Sequence, residues 1–269
     1  MDRYLAAAAA DQVPRGRLDA VIAPHAGLMF SGPVGAHAYK TAAAHGPYDA
    51  VVLVGPSHFV AFDGVALYPS GAFDSPLGPA PIDEQLAAQL LAASPVIVHV
   101  RPAAHAREHS LEMQLPFIRR LLPAAAIVPL LMGYQTRETI RGLAHALARV
   151  AVDRADKKVL FVASTDLSHY FDAPTAEALD RRVRNSVTAC DPEGLLHVFE
   201  EYPEAERGRF VACGGGPVIA VMLAARARGA QHGRVLKYMH SGQISGDNAG
   251  VVGYLAGAIG TFSETSGGE

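Results

Sequence analysis

Three histidines stand directly after short apolar runs that read as strands. They are His25 in Ala23-Pro24-His25-Ala26-Gly27, His58 in Gly55-Pro56-Ser57-His58-Phe59, and His169 in Ser164-Thr165-Asp166-Leu167-Ser168-His169-Tyr170. Imidazole is the commonest side-chain metal ligand and the usual proton carrier near neutral pH. Taken singly, such a histidine is more often a hydrogen-bonded loop residue than a ligand. Three at equivalent strand ends point instead to a shared reactive site, because ligands of open α/β sheets bind beyond the carboxyl ends of the strands. Cys213 lies between the apolar Phe210-Val211-Ala212 and the glycine cluster Gly214-Gly215-Gly216 leading to Pro217. A thiol at a helix N-terminus is stabilised as thiolate and becomes a ligand or nucleophile; the alternative is a buried cysteine beside a tight turn. Cys190, just before Asp191-Pro192, reads as structural.

A fourth histidine stands in Glu108-His109-Ser110-Leu111-Glu112, where Ser110 looks like a helix cap and Leu111, Leu115 and Ile118 mark a buried face. Glu108, His109 and Glu112 then sit at the helix entrance, either lining a cleft or complementing the helix dipole. Asp166, three residues before His169, can orient that imidazole or a bound water, or cap a turn. Asp247-Asn248 reads as turn chemistry, and His37, His45, His99, His145, His197 and His232 show no clustering.

The elements that must position these residues follow from periodicity. Short runs of valine, isoleucine and leucine alternate with longer segments of helical period, the pattern of an α/β fold with a largely parallel or mixed central sheet flanked by helices. Strands are expected at 19–23, 50–54, 65–68, 96–100, 127–132, 159–163, 235–240 and 251–256. Helices are expected at 33–44, 83–93, 111–122, 136–150, 174–188 and 217–228. Ser31 before Pro33, Thr136 before Arg137 and Glu138, and Pro217 itself supply helix-opening signals. Residues 1–262 are expected to form one domain, and 263–269 a frayed tail.

Composition narrows the function classes. The 269 residues carry a formal net charge of −3, and half of them are hydrophobic. No basic stripe of the kind that neutralises a phosphate backbone is present, so nucleic acid is not an expected partner. No segment approaches an uninterrupted apolar span, and two cysteines in unlike contexts do not form a disulfide framework; the expected setting is the cytoplasm, without membrane attachment. Cys213-Gly214-Gly215-Gly216-Pro217 lacks the lysine and hydroxyl residue of a phosphate-binding loop, and Gly55-Pro56-Ser57-His58 lacks the elbow of a serine hydrolase.

Five ordered motifs carry a family resemblance over nearly the whole chain. They are Ala23-Pro24-His25-Ala26-Gly27 with Ser31-Gly32-Pro33 and Ala38-Tyr39; Gly55-Pro56-Ser57-His58; Glu108-His109-Ser110-Leu111-Glu112 with Leu115-Pro116; Ser164-Thr165-Asp166-Leu167-Ser168-His169; and Cys213-Gly214 with Pro217. With them the chain resembles Memo proteins, called in bacteria and archaea the B protein of the AmmeMemoRadiSam system. The resemblance implies a fold similar to class III extradiol dioxygenases, which hold non-haem iron by two histidines and a carboxylate. By the same resemblance His25 and His58 take the histidine-ligand positions, His169 the acid/base position, and Cys213 stands where those enzymes have their carboxylate; Asp166 and His109 are expected, from their own placement, to join His169 in moving protons. A thiolate in place of the carboxylate suits iron or copper redox chemistry, and zinc accepts the same set. The implied activity is that of a metal-dependent oxidoreductase. The alternatives are a module that binds a small molecule, a peptide or the system's radical SAM and AMMECR-like proteins, and metal-free nucleophilic catalysis by Cys213 with His25 or His169 as base.

Overall fold

The computed structural model describes residues 1–8, 13–153 and 157–263. Of the tail expected from position 263, all but Ser263 lies outside the described residues. Helix α1 (Asp2–Ala7) precedes β1 (Gly16–Ala23), α2 (Leu28–Ala44), β2 (Ala50–Pro56) and β3 (Val65–Leu67). A small hairpin of β4 (Ala72–Phe73) and β5 (Ala80–Pro81) leads to α3 (Glu84–Ala93), β6 (Val98–Val100), α4 (Leu115–Leu121), β7 (Ala126–Met132) and α5 (Arg137–Asp153). The second half runs β8 (Val159–Ser164), β9 (His169–Phe171), α6 (Ala173–Thr188), α7 (Pro192–Glu200), α8 (Glu204–Phe210) and α9 (Gly215–Ala227). It closes with β10 (His232–His240), α10 (Gly242–Ser245) and β11 (Val251–Phe262).

The main sheet is mixed, in the order β10-β11-β1-β8-β2-β7-β3-β6, with β9 pairing β11. Strands β1, β8, β2 and β7 are mutually parallel neighbours at its centre, while β11 and β3 join antiparallel on either side. The central strands are almost wholly buried, as expected of continuous apolar runs covered on both faces by helices. Their side chains supply the dominant stabilisation, at about 1.5–3 kcal/mol for each buried valine, leucine or isoleucine. Most of the expected strands and helices are present within a few residues, and Thr136 accepts the Thr139 amide at 3.1 Å as a helix opener should.

Several boundaries are corrected. Helix α2 begins at Leu28, so Pro33 lies inside it; the hydrogen bond it cannot make is to the carbonyl of Met29, at the exposed start of the helix. Ser31 does not cap: its hydroxyl donates to the Ala26 carbonyl at 2.5 Å. The helix expected at 111–122 is a 3-10 turn, Glu112–Gln114, followed by the short α4. Ser110 turns its hydroxyl away from that helix to the Pro56 carbonyl at 2.9 Å. Helix α9 starts at Gly215, two residues before Pro217. Sequence periodicity missed α7 and α8, opened by Asp191 and Pro203, the β4–β5 hairpin and the short β9. Among the described residues no single helix is long and apolar enough to cross a membrane.

Candidate functional site

Adjacent parallel strands deliver the site. In register, Ala23 of β1 pairs Ser164 of β8, and Val54 of β2 pairs Ala163 of β8. Continuing two residues past Ala23, Ser164 and Pro56 brings His25, Asp166 and His58 out at one edge of the sheet. The segment before α4 lays His109 beside them. The ligating atoms of His25, His58 and His109 all lie within 4.8 Å of one another.

Hydrogen bonds decide which ring nitrogen each imidazole presents. The Ser164 hydroxyl donates its one proton to the Ser110 carbonyl at 2.6 Å and accepts from the Gln114 amide at 3.0 Å. Toward His25 Nδ1, 2.9 Å away, it therefore acts as acceptor, which puts the His25 proton on Nδ1 and leaves a lone pair on Nε2. The Glu108 carboxylate does the same for His58, accepting from Nδ1 at 2.9 Å and from the backbone amide at 2.6 Å. It also receives the Ser110 amide at 2.8 Å and lies 3.5 Å from His109 Nδ1. Burial raises the Glu108 carboxyl, but these hydrogen bonds from His58 and Ser110 outweigh it and hold the group at about 2. Burial, with His58 and His109 nearby, holds the His25 imidazole well below the ordinary histidine range, so its ring is a neutral donor at physiological pH.

The remaining expected residues divide around this cluster. Cys213 Sγ lies 3.3 Å from His25 Nε2 and accepts the Asp166 amide at 3.3 Å. Burial and the Asp166 carboxylate push its thiol upward, contrary to the thiolate expected from a helix N-terminus. Asp166 does not orient His169 by a direct hydrogen bond among the described residues: its Oδ1 receives the His25 and Ala26 amides at 2.9 and 3.3 Å and so fixes the turn that carries His25. Its charge still faces His169, whose imidazole is lowered by burial against that opposing influence and whose Nδ1 is buried without a partner. The structure thus gathers His25, His58 and His109 as one converging set, with Cys213, Asp166 and His169 against it. A cleft of about 500 Å³ opens over His58 and Cys213, walled by Tyr134, Gln135, Phe199 and Arg207.

Sequence reading missed several contributors. Ser164 and Gln114 fix the His25 tautomer, yet a serine ending an apolar strand and a glutamine on a short helix carry no chemical signal. Gln135 donates to the Cys213 carbonyl at 2.6 Å and accepts the Gly216 amide at 2.7 Å, tying the thiol's loop to the end of β7. Asp247 accepts the Ala249 amide at 2.9 Å, the turn role expected of it. Cys190 is buried and structural in placement.

Near the cluster, His105 is buried and its Nε2 lies 3.2 Å from the Ala66 carbonyl. Burial lowers its pKa to about 4, although the Ala66 carbonyl and Glu108 oppose the shift. The unfolded chain, at about 6.5, takes up this proton first, so the contribution of neutral His105 is complete above pH 6.5 and is lost as pH falls toward 4. That loss should be about 3 kcal/mol. Urea midpoints at several pH values between 7 and 4 should decline less in His105→Gln than in the unaltered chain, and parallel declines would contradict the assignment.

Comparison with known proteins bears on the family and the fold. A family model described as Memo-like protein matches residues 1–258. A MEMO1 family protein of Methanopyrus kandleri is 39% identical over 240 residues, covering 89% of this chain and 82% of that one. A MEMO1 family protein of Methanothermobacter thermautotrophicus is 39% identical over 238 residues, covering 88% and 83%. Among solved structures, an uncharacterized protein of Escherichia coli K12 superimposes with a TM-score of 0.59 at 14% identity, over 89% of this chain and 99% of that one, a likeness of fold alone.

Proposed function

The chain belongs to the Memo family, and from that premise we propose that it is a metalloprotein whose sheet-edge site takes non-haem iron or copper and serves a metal-dependent oxidoreductase reaction. The observation that carries this reading is the convergence of His25, His58 and His109, with the Nδ1 atoms of His25 and His58 engaged by Ser164 and Glu108 so that Nε2 carries the lone pair, which on His25 faces Cys213 Sγ at 3.3 Å. Two imidazoles with oriented Nδ1 partners and a third converging on them fit a divalent transition metal. His25 and His58 would hold the ion, with Cys213 offering a soft donor beside His25 once its proton is removed and His109 a third imidazole within reach of both. A bound iron or copper ion would supply Lewis acidity and one-electron chemistry; zinc would accept the same donors for hydrolytic work. His169, kept neutral by burial and facing the Asp166 carboxylate, is the group suited to accept a proton from substrate and return it.

The test compares the unaltered chain, Cys213→Ala and His109→Ala after anaerobic purification, by elemental analysis and electron spin resonance. Stoichiometric iron or copper is expected in the unaltered chain, with Cys213→Ala changing the metal's spectrum by loss of a sulfur donor. Protein that holds no redox metal and gains no oxygen-dependent activity on iron loading would sink the reading. A second reading is favoured by exposed Met29, Phe59, Tyr134 and Tyr170, 47–70% exposed, in segments following β1, β2, β7 and β8 at this same edge. On that reading the edge recognises a peptide or partner protein, such as radical SAM and AMMECR-like proteins of the same system. Partner binding that survives His25→Ala, alongside no turnover, would select it.

A further inference from the structure

Glu108 also borders a second cavity, of about 560 Å³, whose other walls include Tyr68, Phe73, Leu115, His105, Asp74 and Glu112. Of its lining residues only Glu108, among the described residues, is hydrogen-bonded to the imidazole cluster. Its lining carries three carboxylates and no lysine or arginine. Glu108 is already engaged by His58 and Ser110, which leaves the exposed Asp74 and Glu112 as the charges available to a ligand.

The buried side of the cavity carries the second feature. His105 is 8% exposed, and its ring meets Tyr68 and Phe73 edge to face at 5.6 and 5.8 Å between centroids. Its Nε2 faces the Ala66 carbonyl, which can only accept, so Nε2 carries the proton. Its Nδ1 is then a bare lone pair, and it is buried without a partner. An unpaired buried acceptor is costly, and a donor supplied by a ligand removes the cost. The low affinity of this ring for a proton, lowered chiefly by burial, keeps it an acceptor at neutral pH.

We propose that this cavity binds a primary ammonium group carried on an apolar body, with one N–H donated to His105 Nδ1, the charge facing Asp74 and Glu112, and the apolar part against Tyr68, Phe73 and Leu115. An anionic ligand would meet three carboxylates, and a ligand lacking an N–H or O–H would leave Nδ1 bare. Two sources share this chemistry: a free arylalkylamine and the lysine side chain of a peptide.

The full-length protein, labelled with nitrogen-15 at histidine, is titrated at neutral pH with phenethylamine and, separately, with Nα-acetyl-lysine methyl ester. The matching neutral and anionic probes are 2-phenylethanol and 3-phenylpropionate. At least one ammonium probe is expected to shift the His105 Nδ1 resonance saturably, and the carboxylate probe to leave it unmoved. The Asp74→Asn/Glu112→Gln pair, both at exposed positions, should weaken that ammonium probe by about tenfold or more. His105→Phe should abolish saturable binding; if it fails to fold, the carboxylate pair and the probe series still decide. Tighter binding of the lysine ester would mark a protein side chain as the source, and tighter binding of phenethylamine a free amine. Absence of any ammonium-dependent shift, equal affinity for phenethylamine and 2-phenylethanol, or unchanged affinity in the carboxylate pair would each overturn the proposal.

Discussion

Glu108→Gln is expected to weaken iron or copper binding by about 10- to 100-fold, a typical cost of losing a partner behind a metal-binding histidine. The substitution changes few atoms, yet the geometry leaves the amide no good orientation. One carboxylate oxygen accepts from His58 Nδ1 and the Ser110 amide, and the other accepts from the His58 backbone amide. Whichever way the new side chain turns, its NH2 group faces a donor that had an acceptor. The ring of His58 then loses either its tautomer or its backbone anchor, and the lone pair on Nε2 is no longer held toward His25. Stability should fall as well, by about 1–3 kcal/mol for a buried donor left unpaired. Equilibrium dialysis against a metal chelator gives the affinity. The spectrum of cobalt-loaded protein separates a positioning role from a general loss of structure, because only a re-aimed imidazole alters it. Unchanged affinity with an unchanged spectrum would mean that His58 is held by its loop and not by Glu108.

What the sequence made legible follows the same physics. A histidine two residues beyond an apolar strand can be read as a strand-end residue without any knowledge of its neighbours, which is why His25 and His58 stood out; His169 lies five residues past β8 and opens β9 instead. The sheet order could not be read, so nothing in the sequence required β1, β8 and β2 to be adjacent; the pairing of Ala23 with Ser164 and of Val54 with Ala163 supplies that. Ser110 read as a helix cap because serine before an apolar helical pattern ordinarily is one. Here the hydroxyl has a better partner in the Pro56 carbonyl, a contact between residues 54 positions apart that local propensity cannot see. His109 looked like a neighbour of the site, whereas the turn that Ser110 anchors brings it into the converging imidazole set. His105 carried no signal at all, since Pro102-Ala103-Ala104-His105 resembles any short polar connection. Its burial arises from the 3-10 turn packing under Tyr68 and Phe73.

Gly214→Ala should destabilise the protein by about 1–3 kcal/mol, the range for overfilling a packed interior, and should separate Cys213 from His25. Backbone conformation is not the reason for glycine here, because its φ of −107° suits any residue. Space is the reason. A Cβ at this position would stand 2.3 Å from the Ser164 carbonyl oxygen and 3.0 Å from Thr165 Cβ, so the obstacle is chiefly the backbone of β8 and not a flexible side-chain end. The start of α9 must therefore move off the sheet edge. Moving it strains the bond from the Gly214 amide to Thr165 Oγ1 at 2.9 Å and that from the Cys213 amide to the Asp166 carbonyl at 3.2 Å. Those two bonds hold the thiol against the imidazole of His25, so a methyl group should act on the site as well as on the fold. Gly27→Ala is the matched control, since a Cβ there meets nothing within 4 Å although the residue lies two positions from His25. Chemical unfolding should show a lower midpoint for Gly214→Ala and little change for Gly27→Ala. Alkylation of Cys213 in metal-free protein should be faster in the first variant alone, because displacement takes the thiol away from the His25 imidazole and the Asp166 amide that hold it. Wild-type stability together with wild-type thiol reactivity in Gly214→Ala would show that the β8 edge yields without moving the cysteine, and that close packing of α9 on β8 is not what sets the distance between Cys213 and His25.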